Sequence, residues 1–286
     1  MTETASSLKW FFSKQSDARF LPETISPIKA DYKSDEEFRD VGRDLAKERP
    51  VNLPYFVKFD FGRRLGENSR LILHAFRATD AAARNNETIS PAAQWLLDNH
   101  YAIDKTVQQA RRDFPSSFLR QLPLYKGLDA IPRIFAMAWL YVAHSDSNFS
   151  VTSLTALVEG YQEIGHLQIG ELWALPSAIR VILVENARRL SLEIERARRM
   201  RQFANQVADK IALAKSESER LQLFETYTPL VANETFATHL LYRLRGASTD
   251  STTALAWLEQ QLAAQNNNSE LATSHEHGRQ SRSGVI

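Results

Sequence analysis

Carboxylates at Glu159, Glu163 and Glu171 offer the first candidate chemistry, because a glycosidase needs two carboxyl groups flanking a sugar bond, one of them to donate a proton. Glu159 and Glu163 stand one helical turn apart beside an apolar stripe, a pattern that solvated and locally paired helix residues also produce. Glu171 is less ordinary. It interrupts the apolar run Gly170-Glu171-Leu172-Trp173-Ala174-Leu175-Pro176 and is expected to cap a turn or pair with an arginine. A hydrolase using Glu163 and Glu171 is therefore the least favoured of the readings considered. A second cluster, Trp95, Asp98, Asn99, His100 and Tyr101, combines aromatic faces with hydrogen-bonding groups, the ingredients of a sugar contact. An ordinary helix with a buried aromatic stripe accounts for the same set.

Six arginines lie at 188, 189, 196, 198, 199 and 201, opposed by Glu193 and Glu195. A basic face carried by Arg188, Arg196 and Arg199 could grip phosphates or acidic headgroups, but a solvated helix face is the favoured reading, because no aromatic side chain accompanies it to stack on bases, and nucleic acid is not an expected partner. Asn186 sits on an apolar stripe, seven residues after Ile179 and four before Leu190. If that stripe is packed, the amide is buried and must find partners. Arg180, Glu185 and Arg189 flank it and suggest one buried polar network that fixes helix register. Trp173 is expected in the core. The seven histidines form no HExxH pattern, and the close pair His275 and His277 lies in a polar tail, so no metal is expected. No cysteine, GxGxxG, GxxxxGK[ST] or GxSxG motif is present, and no cofactor is expected.

The elements that must position these residues read as helices. Residues 31–49 are strongly charged and predict a helix around 35–48 within a loosely organised lead-in, residues 1–65. From Gly66 onward Leu71, Ala75 and Ala78 recur at helical spacing, with Asn68-Ser69 as the cap. Ser90-Pro91 announces a second helix that stops near Phe114-Pro115. The run Ile134 to Ala143 is apolar all round and predicts a central helix, and Ser150 caps the next one. GELWALP at 170–176 reads as a short tight segment, after which Pro176 opens the longest helix, with a strongly charged face opposite its apolar stripe. Shorter helices are predicted at 216–226, 233–244 and 251–264. The fold class is therefore all-α, an irregular multi-helix bundle with a long central amphipathic helix. The helical domain spans residues 66–264, and a disordered polar tail spans 265–286.

Composition sets the outer bounds. The chain has 286 residues, with 35 basic against 34 acidic side chains, so no global field selects an anionic partner. Gly and Pro number 10 each, a scarcity that favours helices over a turn-rich β fold. The N-terminus lacks the basic and apolar regions of an export signal, and the longest apolar run has ten residues where a spanning helix needs about 20. No cleaved leader and no membrane span are expected.

Several segments, in order, resemble the N-terminal region of bacterial cyclic β-1,2-glucan synthases, large membrane glycosyltransferases. They are SPAAQWLLDNHY at 90–101, LP at 122–123, IPR at 131–133, and above all IGELWALPSAIRVILVENARRL at 169–190. Weaker similarity continues through RLRG at 243–246, ALAWLEQQLAAQ at 254–265 and HEHGRQ at 275–280. The resemblance implies a helical, cytoplasmic-side segment that precedes membrane helices and a transferase domain using UDP-glucose. The family's membrane spans, transferase Asp motifs and QxxRW-like signature are absent, so its catalytic residues have no counterpart here. The resemblance implies a noncatalytic domain or fragment whose partners are the remaining domains of a synthase, at the inner face of the inner membrane. Trp95, Asp98, Asn99, His100, Glu171 and Trp173 are its candidate interdomain or glycan contacts. A stand-alone adaptor docking on protein or anionic membrane is the alternative.

Overall fold

The computed structural model describes residues 27–47, 61–125, 131–246 and 252–264, to which the expected polar tail, with His275 and His277, does not belong. Among these residues the structure is all-α, with no strand. The helices are α1 (Asp35–Lys47), α2 (Phe61–Arg84), α3 (Pro91–Asp113), α4 (Ser116–Leu119), α5 (Arg133–His144), α6 (Val151–Gln162), α7 (Ile169–Leu213), α8 (Glu217–Tyr227), α9 (Glu234–Arg245) and α10 (Thr252–Ala264). A 3-10 turn, Thr228–Ala232, joins α8 to α9.

Polar caps set the helix starts. Ser34 and Glu37 form a reciprocal capping box on α1, the Ser34 amide donating to Glu37 Oε2 at 2.8 Å and the Glu37 amide to Ser34 Oγ at 3.4 Å. Ser90 Oγ accepts from the Ala93 amide at 3.2 Å, with Pro91 in the first helical position, where its missing N–H costs nothing. Ser150, Ser216 and Asn233 cap α6, α8 and α9 in the same way.

Two starts differ from expectation. Helix α2 spans Phe61–Arg84, so Asn68 lies inside it rather than at its cap; the side chain is buried and its Nδ2 donates to a carboxylate from another helix. Helix α7 begins at Ile169, and the 170–176 segment forms its first two turns instead of a separate piece. Pro176 is thus an interior proline, worth about 3 kcal/mol or more against the helix. Ala174, Leu175, Ala178 and Ile179 are all buried, and their packing outweighs the missing backbone bond.

The described residues divide into two compact units, and α2, α3 and α7 contribute to both. The first comprises residues up to 81 together with 96–192. Its centre is α5, on which Ile134, Phe135, Met137, Trp139 and Tyr141 are all buried, as an all-round apolar helix must be. Phe135 meets Phe114 and Phe61 with ring centroids 5.0 and 5.8 Å apart. Helix α1 packs along α6 at a close crossing of two glycines. A Cβ on Gly42 would lie 2.7 Å from the Tyr161 amide nitrogen, and one on Gly160 would lie 2.7 Å from the Arg39 carbonyl carbon, so only glycine lets the backbones meet.

The second unit comprises residues 82–95 and those from 193 onward. Ala204, Val207, Ala208 and Ile211 of α7 pack with Phe224, Phe236, Leu240, Leu241, Leu258 and Leu262 in one apolar cluster. Phe224 and Trp257 stack face to face, centroids 4.6 Å apart and 9° from parallel.

Candidate functional site

Glu185, on α7, has no exposed surface and gathers donors from two helices. Its carboxylate accepts from Arg64 Nη2 at 2.8 Å, Asn68 Nδ2 at 2.8 Å, Arg188 Nη2 at 2.6 Å and Arg189 Nε at 3.4 Å. Burial pushes its pKa up, but the guanidiniums of Arg188, Arg64 and Arg189 overcome that and hold it at about 2. Burial pulls Arg189 down to about 10 against the pull of Glu185, so it too is charged at neutral pH. Its guanidinium lies 5.2 Å over the Trp139 ring. This is an ionised, bonded staple between α2 and α7.

Asn186 points elsewhere. Its Oδ1 accepts from the Ile28 amide at 2.7 Å and its Nδ2 donates to Ser147 Oγ at 3.0 Å. Arg180 is exposed and, among the described residues, reaches Ser177 Oγ at 3.5 Å, and Ser177 in turn donates to Asp113. The single network expected of Arg180, Glu185, Asn186 and Arg189 is therefore several. At 3.6 residues per turn, neighbours 185 and 186 face different directions, and position 180 faces a third. Nor does a charged face run opposite the apolar stripe here, because Glu185, Arg188 and Arg189 are buried among the helices.

Glu171 is also fully buried, and it does two jobs at once. It takes both arms of Arg133, from Nε and Nη2 at 2.5 Å each, and accepts the Gln168 amide at 2.9 Å, closing the first turn of α7. Arg133 Nη2 also donates to the His166 carbonyl at 2.6 Å, and its guanidinium sits 5.3 Å from the Tyr161 ring centre. Beside this clamp in sequence, several large apolar side chains are exposed. Trp173 is 80% exposed, Ile169 69%, Ile164 50% and Leu172 36%. The expectation that Trp173 fills the core is thus corrected: once 170–176 joins the helix, Ala174 and Leu175 take the inner face and Trp173 the outer.

Glu159 and Glu163 are exposed but engaged from the facing helix. Arg39 binds both, and Arg43 Nε reaches Glu163 at 2.5 Å. Hydrogen bonds from Arg43 and Arg39 hold the Glu163 carboxyl below the ordinary range. A general acid needs the opposite, a raised pKa and an accessible proton. Glu163 is held by Arg39 and Arg43, and Glu171 is fully buried against Arg133, the arrangement of structural ion pairs rather than of a free proton donor.

On α3, Asp98 and Tyr101 are exposed, whereas Trp95, Asn99 and His100 are half-buried. His100 stacks on Phe76 at 3.9 Å, and burial lowers its pKa against the opposing pull of Asp104. Of the basic-face residues, Arg188 lies inside with Glu185, because a glutamate three residues earlier draws it inward; Arg196 and Arg199 are exposed. Arg199 Nε is bonded to Glu195 at 2.8 Å, and Glu195 also takes Arg198. Among the described residues no three His, Asp or Glu side chains cluster to hold a metal ion, and no helix is long and apolar enough to cross a membrane.

The residues that sequence reasoning missed are the partners of these groups: Arg64, Asn68, Arg133, Ile28 and Ser147. Arg133 carried a signal, since it stands at the head of the apolar run of α5, where a charge is tolerated only with a partner.

The fold and its buried pairs define an all-α helical protein held in register by ion pairs, and its sequence relates it to proteins of glucan synthesis. No family model matches the chain. The cyclic β-(1,2)-glucan synthase NdvB of Rhizobium meliloti is 46% identical over 237 residues, which is 82% of this chain but 8% of that protein. The chain is therefore similar to a piece of a cyclic β-(1,2)-glucan synthase, and it spans less than a tenth of the length of that curated relative.

Proposed function

We propose that this chain is a noncatalytic helical domain, or fragment, of a cyclic β-1,2-glucan synthase, which supports glucan synthesis from UDP-glucose by packing against the synthase's other domains. The observation that carries the reading is the 46% identity across most of the chain to a protein of which it covers 8%. The surface on offer for that packing is the exposed apolar side chains Ile164, Ile169, Leu172 and Trp173, the last two on the α7 turn that Glu171 ties to Arg133. A fixed aromatic anchor with apolar neighbours is the usual core of a protein interface. This reading places the chain at the cytoplasmic face of the inner membrane, with the exposed groups of α3, Asp98 and Tyr101, as further candidate contacts. The paired Glu195 offsets Arg198 and Arg199, which favours a protein surface over an anionic lipid one.

The test is a pull-down of a cyclic glucan synthase lacking the matching segment by this purified chain. Retention by wild type and its loss in Trp173→Ala are the expected outcomes. Equal retention by both variants removes the patch from the reading, and no retention by either removes the packing role. Glucose transfer from UDP-glucose by the purified chain alone would overturn the noncatalytic assignment.

A further inference from the structure

Helix α5 ends with four carbonyls that no later turn of the same helix can satisfy. Two are met locally: Tyr141 O takes the Ser145 amide at 2.9 Å and Val142 O the Ser147 amide at 3.2 Å. The other two are met from far away in sequence, Ala143 O by the Ala30 amide at 2.8 Å and His144 O by the Lys33 amide at 3.1 Å. His144 Nδ1 returns a bond to the Asp31 carbonyl at 2.8 Å, and Lys29 pairs with Asp146 at 2.7 Å. Residues 28–33 thus lie across the end of α5 as a cap supplied by another segment.

The strap has one deep anchor. The Ile28 side chain is 4% exposed and its amide donates to Asn186. The same Asn186 amide group donates to Ser147, in a turn whose residues Asp146 and Ser147 both hold positive φ, 52° and 61°. Neither is glycine, so the turn is strained and needs outside support. Apart from Ile28 the strap buries no side chain: Lys29, Asp31 and Tyr32 are exposed, Ala30 and Lys33 are partly so, and the Lys29–Asp146 pair is more than half exposed on both sides. On its far side the chain re-enters firm structure at the Ser34 capping box and the glycine crossing of α1.

We propose that residues 28–33 form a latch that opens as a unit while the surrounding helices stay folded, with Asn186 as its catch. Few buried side chains are the mark of a segment that opens locally, and here Ile28 is the one buried residue of the six. Because one side chain serves both the strap and the strained 145–147 turn, release of the strap loosens the α5–α6 connection as well. The latch stands independently of the proposed synthase role.

Amide hydrogen exchange on the wild-type chain tests it. The Ile28, Ala30 and Lys33 amides are expected to exchange together, faster than amides within α5 and α7, at a rate that low denaturant leaves unchanged. Asn186→Ala should speed those three, and the Ser147 amide, by about tenfold or more relative to the amides within α7. Strap amides that share the denaturant dependence of α7 in the wild-type chain would overturn the proposal, whether or not the variant folds. So would a variant in which strap and α7 amides accelerate equally.

Discussion

The interiors of the two units solve the same packing problem differently. The first buries Glu171, Glu185, Arg133, Arg188 and Arg189 among its helices, whereas in the second, among the described residues, Glu195 alone is a buried charge, paired with two more exposed arginines, and the cluster from Ala204 to Leu262 is built of aliphatic and aromatic side chains. An apolar cluster is stabilised by area and shape and tolerates swaps that conserve volume. A buried ion pair adds little net stability over a hydrophobic pair of similar size, but once one partner is removed the other is stranded. The first unit should therefore be brittle towards changes of charge, and the second towards changes of volume.

Breaking the charge set gives the largest expected effect. Glu185→Leu leaves Arg188 and Arg189 buried without their carboxylate and should cost about 3–5 kcal/mol in chemical denaturation. In the second unit Leu258→Ala, at a fully buried site, should cost about 2–5 kcal/mol by opening a cavity, while Leu258→Met should cost under about 1.5 kcal/mol. A Glu185→Gln variant as destabilised as Glu185→Leu would sharpen the contrast, because the lost term is then charge rather than size. Near-wild-type stability in Glu185→Leu would erase it.

Acid provides the same test without mutation. The Glu185 pKa is about 2 in the folded chain against an ordinary 4.5, so the unfolded chain takes up the proton first as pH falls. Its contribution, about 3 kcal/mol, is fully present above pH 4.5 and is lost as the pH drops towards 2. Melting curves across that window should fall more steeply for wild type than for Glu185→Gln. Parallel curves would mean that the carboxylate is not the group responsible.

Much of this architecture was legible in the sequence, and the part that was not has a common cause. Caps at Ser90, Ser150, Ser216 and Asn233 and the apolar run of α5 are local signals, and the helices follow them. Periodicity likewise marks Asn186 as buried. It cannot say what Asn186 meets, because Ile28 and Ser147 are 158 and 39 residues away. Pro176 misled for a different reason: a proline after a loop-like string is locally a helix start, and only the burial of Ala174 and Leu175 carries the helix through it. That single misreading also reversed Trp173, whose direction depends on the helix having begun at Ile169.

Trp173 gives the smallest expected stability effect and the sharpest comparison with its neighbour. It stands two residues after Glu171, on the same turn of α7, yet one is 80% exposed and the other fully buried. Trp173→Ala removes an aromatic side chain that touches mainly solvent, so denaturation should change by less than about 0.5 kcal/mol. Glu171→Ala, by contrast, strands the Arg133 guanidinium and uncaps the Gln168 amide, and it should cost about as much as the loss of Glu185. If Trp173→Ala unfolds as wild type does but no longer retains the truncated synthase, the residue acts only at the surface. If it instead destabilises the chain by several kcal/mol, the indole is packed in solution, α7 does not begin at Ile169, and the patch proposed for docking does not exist.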